Sequence, residues 1–121
     1  MKRQRPEQAL QIQVVNYLRA VCPEAITAAI PNGGYRTPVE AMIFKATGVT
    51  AGIPDLMILW KPSKVGFIEL KAPKAKTRLS DAQKSFQVSL SQMDHLNATA
   101  SSLDEIRAIV RVWGIPSREH V

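Results

Sequence analysis

Asp55, Glu69 and Lys71 are the residues of this chain whose types and spacing suit chemistry. They lie in GIPDLMILWKPSKVGFIELKAPK, residues 52–74, within two otherwise apolar runs. An unpaired charge is costly inside an apolar strand and tends to neutralise, so either these groups sit at an edge or a site needs them. If residues 61–66 make the turn of a hairpin, alternation sets Asp55, Met57 and Leu59 on one face of the first strand. Phe67, Glu69 and Lys71 then share one face of the second. Pairing Leu59 with Phe67 places Met57 against Glu69 and Asp55 against Lys71, leaving Asp55 and Glu69 as diagonal neighbours about 7–8 Å apart at the backbone. Two carboxylates that close raise each other's pKa unless a cation lies between them. Hard oxygen ligands without His or Cys select Mg²⁺ or Mn²⁺ over zinc, and magnesium takes one or two protein carboxylates plus water and substrate phosphate oxygens. The pattern therefore points to a phosphate-bearing substrate, with Lys71 orienting the attacking water or neutralising charge on the phosphorus centre. An ordinary Asp55–Lys71 cross-strand ion pair, worth a fraction of a kcal/mol, fits the same spacing.

Three further features bear on that choice. Glu7, on an opening helix, precedes Leu10 by three residues and Val14 by seven, so it borders the apolar face together with Gln11. It either complements the dipole of the first turn or supplies a third acidic group to a divalent-metal site. Gln83 is either only the third member of a capping box begun by Ser80 or also a side chain projecting toward Lys71. Lys61, Lys64, Lys71, Lys74, Lys76, Arg78 and Lys84 fall close together, opposed only by Glu69 and Asp81. A solvated basic loop accounts for such a run, but this one brackets the two unexplained carboxylates.

The elements that must position these groups follow from punctuation and periodicity. A helix is expected from about Pro6 to Val21, with Leu10, Val14, Leu18 and Val21 on one face. AITAAI then reads as a strand ended by the turn PNGG. Thr37, Pro38, Glu40 and Gly48 bound a second helix. Strands are expected near 55–60 and 65–71. Ser80 and Gln83 open a third helix, with Leu79, Ala82, Phe86, Leu90 and Met93 on one side. A short polar strand near 97–102 and a last helix ending at Gly114 complete the order α-β-α-β-β-α-β-α, a mixed α/β sheet flanked by helices. Residues 116–121 read as a frayed tail. Tyr17, Phe44, Trp60 and Trp113 suit a core better than an interface.

Composition sets the bounds. The 121 residues suit one domain, 1–121 with a core of about 5–115, and 45% hydrophobic with 21% charged residues is a globular balance. One cysteine and two histidines, His95 and His120, exclude a zinc finger. MKRQRPEQ leads into an amphipathic helix rather than the apolar core of a secretion signal, and no apolar run approaches the roughly 20 residues of a membrane span. The expectation is an intracellular protein, cytoplasmic in a bacterial or phage-infected cell. The net charge of +6 and pI near 9.8 suit an acidic partner such as nucleic acid.

With those residues in place, GIPDLMILW followed by GFIELKAP resembles the PD-(D/E)xK nuclease superfamily, and more specifically the VRR-NUC (virus-type replication–repair nuclease) family. Five stretches carry the likeness in order: Glu7 with Gln11, PNGGYRT (31–37), GVTAGIPDL (48–56), IELKAP (68–73) and RLSDAQ (78–83). The resemblance implies a central mixed sheet flanked by helices, and phosphodiester hydrolysis with Mg²⁺ or Mn²⁺. It implies metal ligation by Asp55, Glu69 and the backbone carbonyl of Leu70, with Glu7 bound directly or through water, Lys71 activating the water and Gln83 assisting. Arg36, Lys74, Lys76, Arg78 and Lys84 are the expected DNA contacts. Stand-alone members are similar to Holliday-junction resolvases, which implies a homodimer cutting branched DNA in repair or replication. The alternative is a non-catalytic DNA-binding module that keeps the nuclease fold. Two departures stand out: KAPKAKTRLS lacks the glycine often found before RLS, and MDHLNATASS is more polar than a usual final strand.

Overall fold

A computed structural model describes residues 6–31, 37–72 and 79–119. Arg36, Lys74, Lys76 and Arg78, with most of the PNGG turn, lie outside the described residues. The elements run α1 (Pro6–Val21), β1 (Ile26–Ala29), α2 (Pro38–Ala46), β2 (Leu56–Trp60), β3 (Lys64–Leu70), α3 (Asp81–Gln92), β4 (Leu96–Ala100) and α4 (Leu103–Trp113), in the expected order. One four-stranded sheet has the order β1-β2-β3-β4, antiparallel except for the parallel β3–β4 pair. The parallel pair is joined through α3, as a crossover requires. This mixed sheet with flanking helices is the α/β class that the sequence indicates. Among the described residues no helix is long and apolar enough to cross a membrane.

One face of the sheet is dry. Leu56, Ile58 and Trp60 of β2, Ile68 and Leu70 of β3 and Ala100 of β4 join Leu10, Val14 and Leu18 of α1 and Ile106 and Val110 of α4 in one cluster. Gly66 is the close-approach point on this face. A Cβ there would lie 2.4 Å from the Trp113 ring, which stacks on Trp60 with centroids 6.1 Å apart and planes 8° apart. Trp60 is thus a core residue, as expected. β4 tolerates its small, polar composition because it is an edge strand with α3 and α4 both packed on it.

The opposite face carries Met57 and Leu59 of β2 and Val65 and Phe67 of β3, all half-buried, beside the exposed Ile26 of β1. Among the described helices only α3 approaches this side, and of the strands it packs on β4. α2 packs on no described helix or strand and buries none of its residues. Leu90 is the buried residue of α3, while Met93 of its expected apolar side is exposed.

Two expectations are corrected. Leu59 pairs with Val65, Met57 with Phe67 and Leu56 with Ile68, a register shifted by two residues from the Leu59–Phe67 pairing. The turn is shorter than supposed, because β2 runs to Trp60 and β3 begins at Lys64, with Ser63 in the left-handed region at φ 51°. Asp55 therefore falls directly opposite Glu69 rather than diagonal to it. Residues 115–119 are also held down rather than frayed, while 120–121 of the expected tail lie outside the described residues. Ile115 is buried, the Arg118 N–H donates to the Val21 carbonyl at 2.8 Å, and the Tyr17 hydroxyl donates to Glu119 at 2.8 Å.

The Gly66–Trp113 approach gives a stability prediction. Gly66→Ala should displace the indole and destabilise the fold by about 1–3 kcal/mol, as overpacked cores do. A lowered urea midpoint with altered tryptophan fluorescence is the expected result, and an unchanged midpoint would contradict the close approach.

Candidate active site

Asp55 immediately precedes β2, behind the fully buried Pro54. Its carbonyl accepts from the Ile30 N–H at 2.8 Å, which continues the β1–β2 ladder past the end of β2. Its side chain reaches across to β3, where Oδ2 accepts from the Leu70 N–H at 2.7 Å. The backbone of the partner strand thus fixes one oxygen of this carboxylate.

Glu69 is the neighbour of that N–H in sequence, and it is 3% exposed. Alternation sends Ile68 and Leu70 into the dry core and Glu69 to the other face, where α3 covers it. Its Oε1 accepts from Gln83 Nε2 at 2.7 Å. Its Oε2 is buried and has no hydrogen-bond partner among the described residues, the arrangement a buried acceptor should not leave standing. Burial pushes the Glu69 carboxyl up to about 8, and the nearby Asp55 charge, with Asp55 also within hydrogen-bonding reach, adds to the rise. The Lys71 ammonium opposes it, and Glu7 adds a smaller push upward.

Gln83 completes its cap and also reaches the carboxylates, at Glu69 rather than toward Lys71. The capping box is complete: the Gln83 N–H donates to Ser80 Oγ at 3.1 Å, and Gln83 Oε1 accepts from the Ser80 N–H at 2.8 Å. The other end of the same amide donates to Glu69. At Thr37 the second box is half formed, since the Glu40 N–H donates to Thr37 Oγ1 while the Glu40 carboxylate accepts from the threonine hydroxyl.

The structure thus brings Asp55, Glu69, Lys71 and Gln83 together. Glu7 is exposed and acts on Glu69 through charge; among the described residues no cluster of three His, Cys, Asp or Glu side chains capable of holding a metal forms. Lys84 is exposed on α3 next to Gln83. Gly52 is a site residue that sequence reasoning missed. It sits at φ +81°, and a Cβ would lie 2.3 Å from the Ala82 carbonyl oxygen and 2.8 Å from the Gln83 nitrogen. The loop into Asp55 therefore rests directly on the first turn of α3. Its signal, a glycine three residues before Asp55, has no meaning until the partner helix is known.

The donor set fits a hard divalent cation. Two carboxylates in contact, one with an orphaned buried oxygen, are what magnesium or manganese would satisfy, since such ions use few protein oxygens and fill the rest of the shell with water and phosphate.

A family model, the VRR-NUC domain, matches residues 1–102. Among solved structures, a VRR-NUC domain protein superposes with a TM-score of 0.63 at 22% identity, covering 91% of this chain and 88% of that one. Comparison with curated proteins gives no match. The chain belongs to the VRR-NUC domain family, whose fold is of nuclease type.

The raised Glu69 pKa has a definite consequence for the metal-free protein. Between about 4.5 and about 8 the folded chain keeps a proton that the unfolded chain releases, so stability is greatest at the acid end and falls as pH rises through that window. Thermal melts in chelator should show this decline, and Glu69→Gln should remove it. A parallel decline in the variant would assign the effect to other groups.

Proposed function

We propose that this VRR-NUC domain is a metal-dependent, structure-selective DNA endonuclease acting on branched DNA such as Holliday junctions. The observation that supports it most is the buried Glu69 carboxylate, pressed against Asp55 with one oxygen unsatisfied. A purely structural pair would be relieved by an arginine or by amide replacement, whereas an ion-binding pair needs its negative charge.

Asp55 and Glu69 hold Mg²⁺ or Mn²⁺, with the Leu70 carbonyl beside them and Glu7 contributing through water. When bound, the ion supplies a Lewis acid that lowers the pKa of water and offsets charge on the phosphate. Lys71, whose charge already acts on Glu69, orients the attacking water and balances the charge that grows during transfer. Gln83 keeps Glu69 in place by its 2.7 Å hydrogen bond. Lys84 and the basic residues Arg36, Lys74, Lys76 and Arg78 grip backbone phosphates, which makes binding salt-dependent and sensitive to shape more than to sequence.

Paired cutting of a junction calls for two copies related by a twofold axis. The surface offered is the exposed side of α2, with Val39 at 65% and Met42 at 72% exposure, and the sheet face around the exposed Ile26 and the half-buried Leu59 and Val65, which no described helix covers. A sheet normally has both apolar faces covered, and among the described residues α2 packs on no helix or strand of its own chain. Its seating on the bare face of a second copy accounts for both.

Two measurements test these readings. End-labelled four-way junction, flap and linear duplex should be incubated with the protein in Mg²⁺, Mn²⁺ or EDTA, beside Asp55→Ala. Paired junction cuts, lost by at least 100-fold in the variant and absent in EDTA, are expected; tight binding without cutting under any condition would mean a binding module. Sedimentation should give a dimer for the wild type and a folded monomer for Met42→Glu, and a monomeric wild type would remove the dimer.

A further inference from the structure

The amide of Gln83 has two unlike ends, and which one faces Glu69 decides whether the contact attracts or repels. Its oxygen is already committed, because Oε1 accepts from the Ser80 N–H at 2.8 Å. The N–H₂ end is then the one presented to Glu69 Oε1. The backbone of the same residue is pinned by Ser80 Oγ at 3.1 Å. The turn that carries it is pressed onto Gly52, where no side chain fits.

We infer that the capping box of α3 is a positioning device for the carboxylate pair, with Ser80 and Gly52 acting through Gln83 as positioning residues. The inference rests on the proposed reading that Asp55 and Glu69 hold a divalent cation. Glu69 Oε1 is held by Gln83, and Asp55 Oδ2 by the Leu70 N–H. Glu69 Oε2 is left without a hydrogen-bond partner among the described residues, so it is the oxygen that would turn to a bound ion. Fraying the first turn of α3 would release the Gln83 amide and with it the rotation of Glu69. Gly52 couples the two halves of the site: the loop that ends in Asp55 and the turn that ends in Gln83 share one contact, so displacing either moves both carboxylates relative to each other. Groups that orient metal ligands in this way typically change affinity or activity by about 10–100-fold when removed.

The test is Mn²⁺ binding to the full chain by titration calorimetry, with a thermal melt of each protein. Ser80→Ala should weaken Mn²⁺ binding about tenfold. Ser80→Thr, which keeps a hydroxyl suited to the cap, should restore it. Gly52→Ala should weaken binding to a similar extent. Ser102→Ala is the control, because Ser102 caps α4, whose Ile106 and Val110 pack on the dry face of the sheet, by accepting from the Glu105 N–H and makes no contact with Gln83 or Glu69 through that cap; it should lower Tm while leaving the Mn²⁺ Kd unchanged. If Ser80→Ala fails to fold, Ser80→Gly removes the same hydroxyl at smaller cost to the helix and should show the same loss of affinity. A lowered Tm with unchanged Mn²⁺ Kd in the Ser80 variants would reduce the box to an ordinary helix cap and overturn the inference. Failure of the wild type to bind Mn²⁺ would overturn the metal reading itself, and this inference with it.

Discussion

Two carboxylates that repel each other are held in contact at the end of a β-hairpin, and the surrounding structure is arranged so that they stay there. The hairpin register alone puts Asp55 opposite Glu69, as Leu56 pairs with Ile68 one step further along. Nothing in the pairing of strands makes that juxtaposition favourable. Its stability without a cation comes from neutralisation: Glu69 keeps its proton up to about pH 8 because burial and Asp55 both penalise its charge. A protonated Glu69 can share a hydrogen bond with Asp55, and under the proposed reading a divalent cation would take the place of that proton.

Rigidity is supplied from one side of the sheet and access from the other. The dry face, with Ile58, Ile68, Leu18 and Ile106 all fully buried, fixes the strands as a unit. Among the described residues the opposite face is left open by α3, which packs on β4 and reaches β3 through a polar contact at the end that carries Glu69. Under the proposed reading, a site for a polymer as large as DNA has to be open in this sense. The cost is an exposed apolar floor around Ile26 and Leu59, the kind of surface that is usually an interaction site when contiguous.

Much of this was legible in the sequence, and the omissions have physical causes. Helix boundaries were readable because capping chemistry is local: Thr37, Ser80 and Gly114 each sit where the spacing placed them. The face of α1 was readable because Leu10, Val14 and Leu18 repeat at helical spacing. The hairpin register was not, because it depends on turn length, and Lys61–Ser63 closes the turn in fewer residues than KPSKVG suggested. A two-residue slip preserves which side chains share a face, so the carboxylates were rightly put together while their pairing was wrong. Gly52 and Gly66 escaped because each answers to an atom far away in sequence, the Ala82 carbonyl and the Trp113 ring. The ordered C-terminal segment escaped for the same reason, since the Arg118 N–H is taken by Val21 on the first helix.

Gln83 shows why weighing a structural against a functional account of one residue can mislead. The capping box fully explains a glutamine at the third position of a helix, and taken alone it leaves no need for another role. Yet an amide has an acceptor end and a donor end, and a capping box consumes only the acceptor. The donor must go somewhere, and on a helix that begins beside a buried carboxylate it goes to Glu69. A glutamate at this position would cap as well but would present a second negative oxygen to Glu69, so the cap alone does not choose between Gln and Glu while the site does. The two accounts are complementary because they use different atoms. For polar side chains with separable donor and acceptor groups, the useful question is which atoms the structural explanation leaves unspent.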